Sequence, residues 1–156
     1  MTENEKRLKG TDWLGIFSFG FFLILFGTIW IITPNSTEEV VNFFKDFHLE
    51  NVTENIVFPA PKHEYNHLVV YTAAMQFCFI FGAFHIVILA LRFVFHEPLD
   101  RKSGTISGMV FWLIAGFFLS MLASQTIGWF SFLAGLIISA GLTIIVSSIV
   151  KLFRKV

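Results

Sequence analysis

The sequence predicts an all-α fold: a polytopic membrane four-helix bundle with a short external amphipathic helix. Two observations carry this. Of the 156 residues, 55% are hydrophobic and only 14% charged, with a mean hydropathy of +0.72, against roughly 45–50% apolar and 25% charged in a soluble domain. The apolar residues also gather into four uncharged runs, at 13–33, 68–91, 106–124 and 128–150. These runs hold 21, 24, 19 and 23 residues, within the range of about 17–25 that carries a helix across a hydrocarbon core of about 30 Å. They are continuously apolar, whereas barrel strands alternate over about 10 positions, so helices are expected, in one membrane domain over 1–156. A single Cys leaves no internal disulfide, and a formal net charge of zero argues against a nucleic-acid partner.

The first run is longer than a signal-peptide apolar region and leads into Thr33, Pro34 and Asn35 with no small-x-small cleavage pattern, so it is read as an uncleaved span. Residues 34–67 follow as a loop. Within it, Ser36 and Glu39 have capping-box spacing, and Val40, Phe43, Phe44 and Phe47 recur at helical intervals. An amphipathic helix over 37–48 is expected, its aromatic face on the bilayer surface or as a lid on the bundle mouth. Asn35 and Asn51 both begin N-glycosylation sequons, and Asn51, well clear of the spans, is the glycosylation candidate. Pro59 and Pro61 are expected to close the loop before the second helix.

Lys and Arg outside the spans set the orientation. Lys6, Arg7 and Lys9 precede the first span, Arg92, Arg101 and Lys102 lie between the second and third, and Lys151, Arg154 and Lys155 follow the fourth. The loop 34–67 has only Lys45 and Lys62, against six acidic residues. The termini are therefore expected in the cytoplasm and the loop outside. Trp13, Trp30 and Trp129 stand near span ends, at headgroup level.

Small residues every four positions let helices approach closely in lipid. Ser131, Gly135 and Ser139 continue as Thr143 and Ser147 along the fourth span, and the third carries Gly116, Ser120 and Ser124. Because residues 125–127 leave only a tight connection, these two helices are expected to form a hairpin with facing stripes. A homo-oligomer contact is the alternative.

Two features could carry chemistry. His63-Glu64-Tyr65-Asn66-His67 fits H-E-x-x-H, in which two histidines one helical turn apart hold zinc and the Glu activates water. Over those five residues it resembles the zincin metalloprotease signature, which implies His63 and His67 as ligands of zinc or another transition metal. Capping of a helix at the water interface is the plainer reading. The second feature is a face of the second helix. At about 100° per residue, His63, His67, Tyr71, Cys78, His85, Arg92 and His96 fall within an arc of about 80°, and ionisable groups inside spans usually face the bundle interior. His85 could relay a proton, coordinate a metal with Cys78, or simply donate one hydrogen bond. Intramembrane haem ligation within one chain is excluded, since the other three spans hold no His.

The function expected is a non-enzymatic accessory, assembly or interaction subunit, with the lipid bilayer and another membrane protein or a second copy as partners. An oligomeric transport or metal-handling protein using the histidine-bearing face is the alternative, and a membrane metalloprotease a distant third. Enzymatic activity is left open, with the non-enzymatic reading preferred.

Overall fold

The computed structural model describes residues 12–53 and 56–152; Lys6, Arg7, Lys9, Glu54, Arg154 and Lys155, used above for orientation, lie outside them. Helix α1 spans Trp13–Ile32, α2 Ser36–Lys45, α3 Leu68–Val94, α4 Leu99–Ala123 and α5 Trp129–Leu152, with a 3₁₀ turn at Glu64–Asn66. Helices α1, α3, α4 and α5 are each long and apolar enough to cross a membrane. The all-α expectation needs one correction: strands β1 (Phe47–Thr53) and β2 (Ile56–Pro61) pair as an antiparallel hairpin between α2 and α3.

The hairpin shortens the amphipathic helix, which ends at Lys45 rather than residue 48. Phe47 fits both a helical period and the alternation of Phe47 and Leu49 with polar neighbours, and the strand period wins. Across the hairpin, Val57 and Phe58 lie opposite Asn51 and Glu50. Pro59 and Pro61 sit inside β2 instead of ending a loop, tolerated because a two-stranded sheet has only edge strands. The capping box also does not form. Asn35 takes the cap position with φ 50°, and Ser36 is already in the first turn, because the chain reverses tightly through Pro34 and Asn35.

Elsewhere the helices overrun their apolar cores. Helix α3 continues past residue 91 to Val94, and α4 starts at Leu99, well before residue 106, with Pro98 supplying an extended cap. Apolar runs mark hydrocarbon, whereas backbone hydrogen bonding carries a helix on until a stop signal. Both α3 and α4 stop in the same way. His96 (φ 50°) and Gln125 (φ 58°) turn left-handed. Glu97 N–H then reaches Arg92 O at 3.0 Å, and Thr126 N–H reaches Met121 O at 2.9 Å, the Schellman closure usually made with glycine.

The spanning helices pair as α1–α3, α3–α4 and α4–α5. Tyr71, Cys78, Ala115, Leu119, Leu122 and Phe132 build the core of α3, α4 and α5. Helix α1 joins α3 through rings: Phe21 stacks on Phe84 with centroids 3.8 Å apart, and Phe22 meets Phe77 edge-on at 5.1 Å. The outer helices expose long apolar side chains such as Ile31 and Ile137. Such surface suits lipid, which is why neither helix is amphipathic.

The small-residue stripes do not face each other. Gly116 turns towards Cys78 and Phe79 of α3. Ser120 and Ser124 hydrogen-bond carbonyls one turn back on α4, and Ser131 is exposed. Ser139 is fully buried and donates to Gly135 O. Gly135 instead receives the Phe118 ring of α4, so close that a Cβ there would lie 2.4 Å from ring carbons. The Phe118 ring thus fills the space that the glycine leaves between α4 and α5.

Gly135→Val should therefore lower stability in detergent by about 1–3 kcal/mol through forced overpacking, while Gly141→Ala, with nothing within 4 Å of the added carbon, should leave it unchanged or slightly raised. Thermal unfolding midpoints of the two proteins check the contrast.

Candidate functional site

At the end of the fold where α2, the hairpin and the 3₁₀ turn lie, Asp46 gathers both histidines of the H-E-x-x-H segment. Its Oδ1 accepts from His63 Nδ1 at 2.9 Å, and its Oδ2 accepts from His67 Nε2 at 3.0 Å and from the His63 backbone N–H at 2.7 Å. Three donors hold the Asp46 carboxyl far below the usual carboxylate range, led by the His67 and His63 side-chain hydrogen bonds. The Asp46 backbone carbonyl also accepts from Lys62 N–H at 3.0 Å. One residue thus ties the end of α2 to the entry of α3.

This differs from the zinc geometry. His63 and His67 flank a 3₁₀ turn, and His67 only caps α3, so the two rings do not stack on one helix. The ring nitrogens facing Asp46 carry the protons they donate, so only His63 Nε2 and His67 Nδ1 keep lone pairs. Glu64 is turned elsewhere: its Oε2 accepts the Trp129 backbone N–H at 2.7 Å, satisfying an orphan donor at the start of α5. Among the described residues, no group of three or more His, Cys, Asp and Glu side chains is placed to hold a metal ion.

Above this clamp, Phe43 points into the bundle mouth, its ring 5.2 Å from His67, 5.9 Å from Tyr71 and 5.9 Å from Trp129. Trp129 further donates from Nε1 to Pro59 O at 3.2 Å. The α2 lid is therefore seated by one aromatic knob, while Phe44 on its other side stays exposed. Tyr71 is 2% exposed, and its hydroxyl has no hydrogen-bond partner among the described residues.

The histidine-bearing face is shorter than the sequence suggests, since α3 begins at Leu68 and ends at Val94. His63, His67 and His96 fall outside it. Tyr71, Cys78, His85 and Arg92 remain, separated by full turns and without mutual hydrogen bonds. His85 Nδ1 donates to Phe81 O at 2.8 Å on its own helix. Its Nε2 faces Gly108 of α4, 3.1 Å from where a Cβ would stand, so an alanine there would press the ring by a few tenths of an ångström.

At the opposite end, Arg92 forms a second carboxylate cluster. Its side chain is 5% exposed and pairs with Glu97 and, at 3.0 Å, with both oxygens of Asp12. Asp12 also caps α1 by accepting from Gly15 N–H at 2.9 Å. Burial alone would raise the Asp12 pKa, but the bonds from Arg92 and Gly15 outweigh it and hold it below the usual value. The sequence reading placed Arg92 on the polar face and missed both partners. Glu97 is brought back by the Schellman turn at His96, and Asp12 arrives from 80 residues away.

Breaking a buried pair strands its partners. Arg92→Met should cost about 3 kcal/mol or more in unfolding free energy, and adding Glu97→Gln should recover part of the loss by removing the stranded charge; denaturant titration in detergent measures both. The Asp46 clamp should depend on acid. The folded carboxyl ionises more readily than the unfolded one, so its contribution is full above the unfolded pKa of 3.8 and fades as pH falls through the depressed folded value. The stability gap between wild type and Asp46→Asn should accordingly narrow only below about pH 4, followed by Trp129 fluorescence. In comparisons with family models, curated proteins and solved structures, nothing matches this chain.

Proposed function

We propose that this four-span membrane protein is a non-enzymatic accessory or assembly subunit that binds another membrane protein through its β hairpin, with the hairpin end outside the cell or in an organelle lumen and the termini in the cytoplasm. The observation that carries the reading is the hairpin's exposed apolar surface. Leu49 is 73% exposed, and Ile56, Val57 and Phe58 are each about half exposed. Exposed apolar side chains on both faces of the hairpin favour a protein or membrane contact, and β1 keeps an edge for pairing, whereas β2 carries Pro59 and Pro61.

The commitments of the polar groups support the same reading. Asp46 engages His63 and His67, Glu64 caps α5, the Phe81 carbonyl engages His85, and two carboxylates engage Arg92. Apart from His85, whose bond stays within α3, these side chains hold elements together, which weighs against the alternative of an oligomeric transporter or metal handler passing a cation along α3. The alternative keeps one attraction: a second copy could seat on the same hairpin.

A photoreactive phenylalanine analogue at Leu49, illuminated in the native membrane, tests the reading together with a Leu49→Ser/Phe58→Ser variant. One discrete adduct with a different polypeptide is expected, and the double variant should lose the larger assembly seen on native gels while expressing normally. Adducts with lipid alone, or an assembly unchanged in the variant, would remove the hairpin from partner binding; an adduct with a second copy would move the weight to the oligomeric alternative.

A further inference from the structure

Between α1 and α3, towards the loop end, lies a cavity of about 400 Å³ bordered by α2. Its α1 wall runs from Phe22 through Phe26 and Ile29 to Thr33, and its α3 wall from Val69 through Ala73 to Cys78. Those stretches measure roughly 14–17 Å at 1.5 Å per residue. Phe22 lies midway along α1, and Trp112, midway along α4, closes the inner end. The cavity therefore begins at the loop end and stops near the middle of the spans. That depth is one leaflet, half of a hydrocarbon core of about 30 Å.

The lining is apolar almost throughout, from Phe22, Phe77 and Trp112 at the inner end to Trp30, Val69 and Val70 at the loop end, where Thr33, Ser36 and Glu39 border it. No Lys or Arg lines it. Water does not occupy so apolar a space, and an empty one forfeits dispersion contacts on every wall. The apolar fluid at that depth is lipid. We propose that the cavity holds one acyl chain of a loop-side leaflet phospholipid, with an ammonium-bearing headgroup, such as ethanolamine, donating to Glu39 and Ser36. The acyl chain matches the depth and dryness, and the ammonium matches the acidic, cation-free mouth. The proposal rests on the four helices crossing a bilayer and not on what the hairpin binds.

Brominated lipid tests it directly, because bromine quenches tryptophan at contact. The protein is reconstituted into phosphatidylcholine nanodiscs containing phosphatidylethanolamine brominated midway along one acyl chain, and the Trp112 contribution is isolated by difference from Trp112→Phe. Bromolipid should quench the Trp112 contribution, and Ala73→Phe/Ala74→Phe, which fills the cavity, should abolish that quenching. Trp112 quenching that is absent in the unsubstituted protein, or that persists in a folded filled variant, overturns the acyl assignment. Glu39→Gln lies outside the spans and changes the charge at the cavity mouth without filling it, so it keeps the test valid should the filled variant fail to fold. Native mass spectrometry should find phosphatidylethanolamine retained over phosphatidylglycerol by the unsubstituted protein and that preference lost in Glu39→Gln. Equal retention of the two lipids by both proteins overturns the headgroup assignment.

Discussion

The fold depends on how one buried cation is compensated. Arg92 ends α3 with its side chain almost sealed from solvent, where an unpaired guanidinium would be severely destabilising. Its two carboxylate partners come from the elements on either side: Asp12 from the start of α1, Glu97 from the turn into α4. Compensating the charge therefore fixes three helix ends relative to one another. Such pairs contribute specificity of arrangement more than net stability, and α1, joined to α3 mainly through exchangeable Phe rings, is the helix that most requires it.

The loop end solves a related problem by the same chemistry. Helix starts leave N–H donors unsatisfied, and in lipid or at its edge they cannot rely on water. Glu64 supplies an acceptor to α5 from a different segment, and Asp46 gathers donors from the entry to α3. Carboxylates set between elements here act as joints. Around them the packing is aromatic, with Phe43 inserted among His67, Tyr71 and Trp129, so the lid has one defined seat rather than a sliding apolar face.

What was legible in the sequence follows from the range of the forces involved. The four spans could be read because exclusion of charge from hydrocarbon acts on every residue of a run. The hairpin was hidden because Phe47 satisfies two periods at once, although the β-branched Val52, Thr53, Ile56 and Val57 around residues 54 and 55 were a signal. H-E-x-x-H was misleading in its geometry, since its meaning requires a helix and the chain places a 3₁₀ turn there. The pairing of Gly135 with Phe118 was not readable from spacing, which identifies a small residue but not what fills the space beside it. The Asp12–Arg92 pair was least accessible of all, since nothing local to either residue points to the other.

That last pair has a consequence for how the protein is made. A membrane chain enters the bilayer in order of synthesis, so α1 is inserted while Arg92, 80 residues downstream, has not yet been translated. Until α3 is complete, Asp12 has its cap bond to Gly15 but not its pairing with Arg92. The pairs α3–α4 and α4–α5 close through the short connections 95–98 and 124–128, whereas α1 must wait for the far end of α3 to arrive beside it across the long loop 33–67. Biogenesis thus contains a built-in delay: the first helix to enter the membrane is not locked until the second span has been read to its last turn.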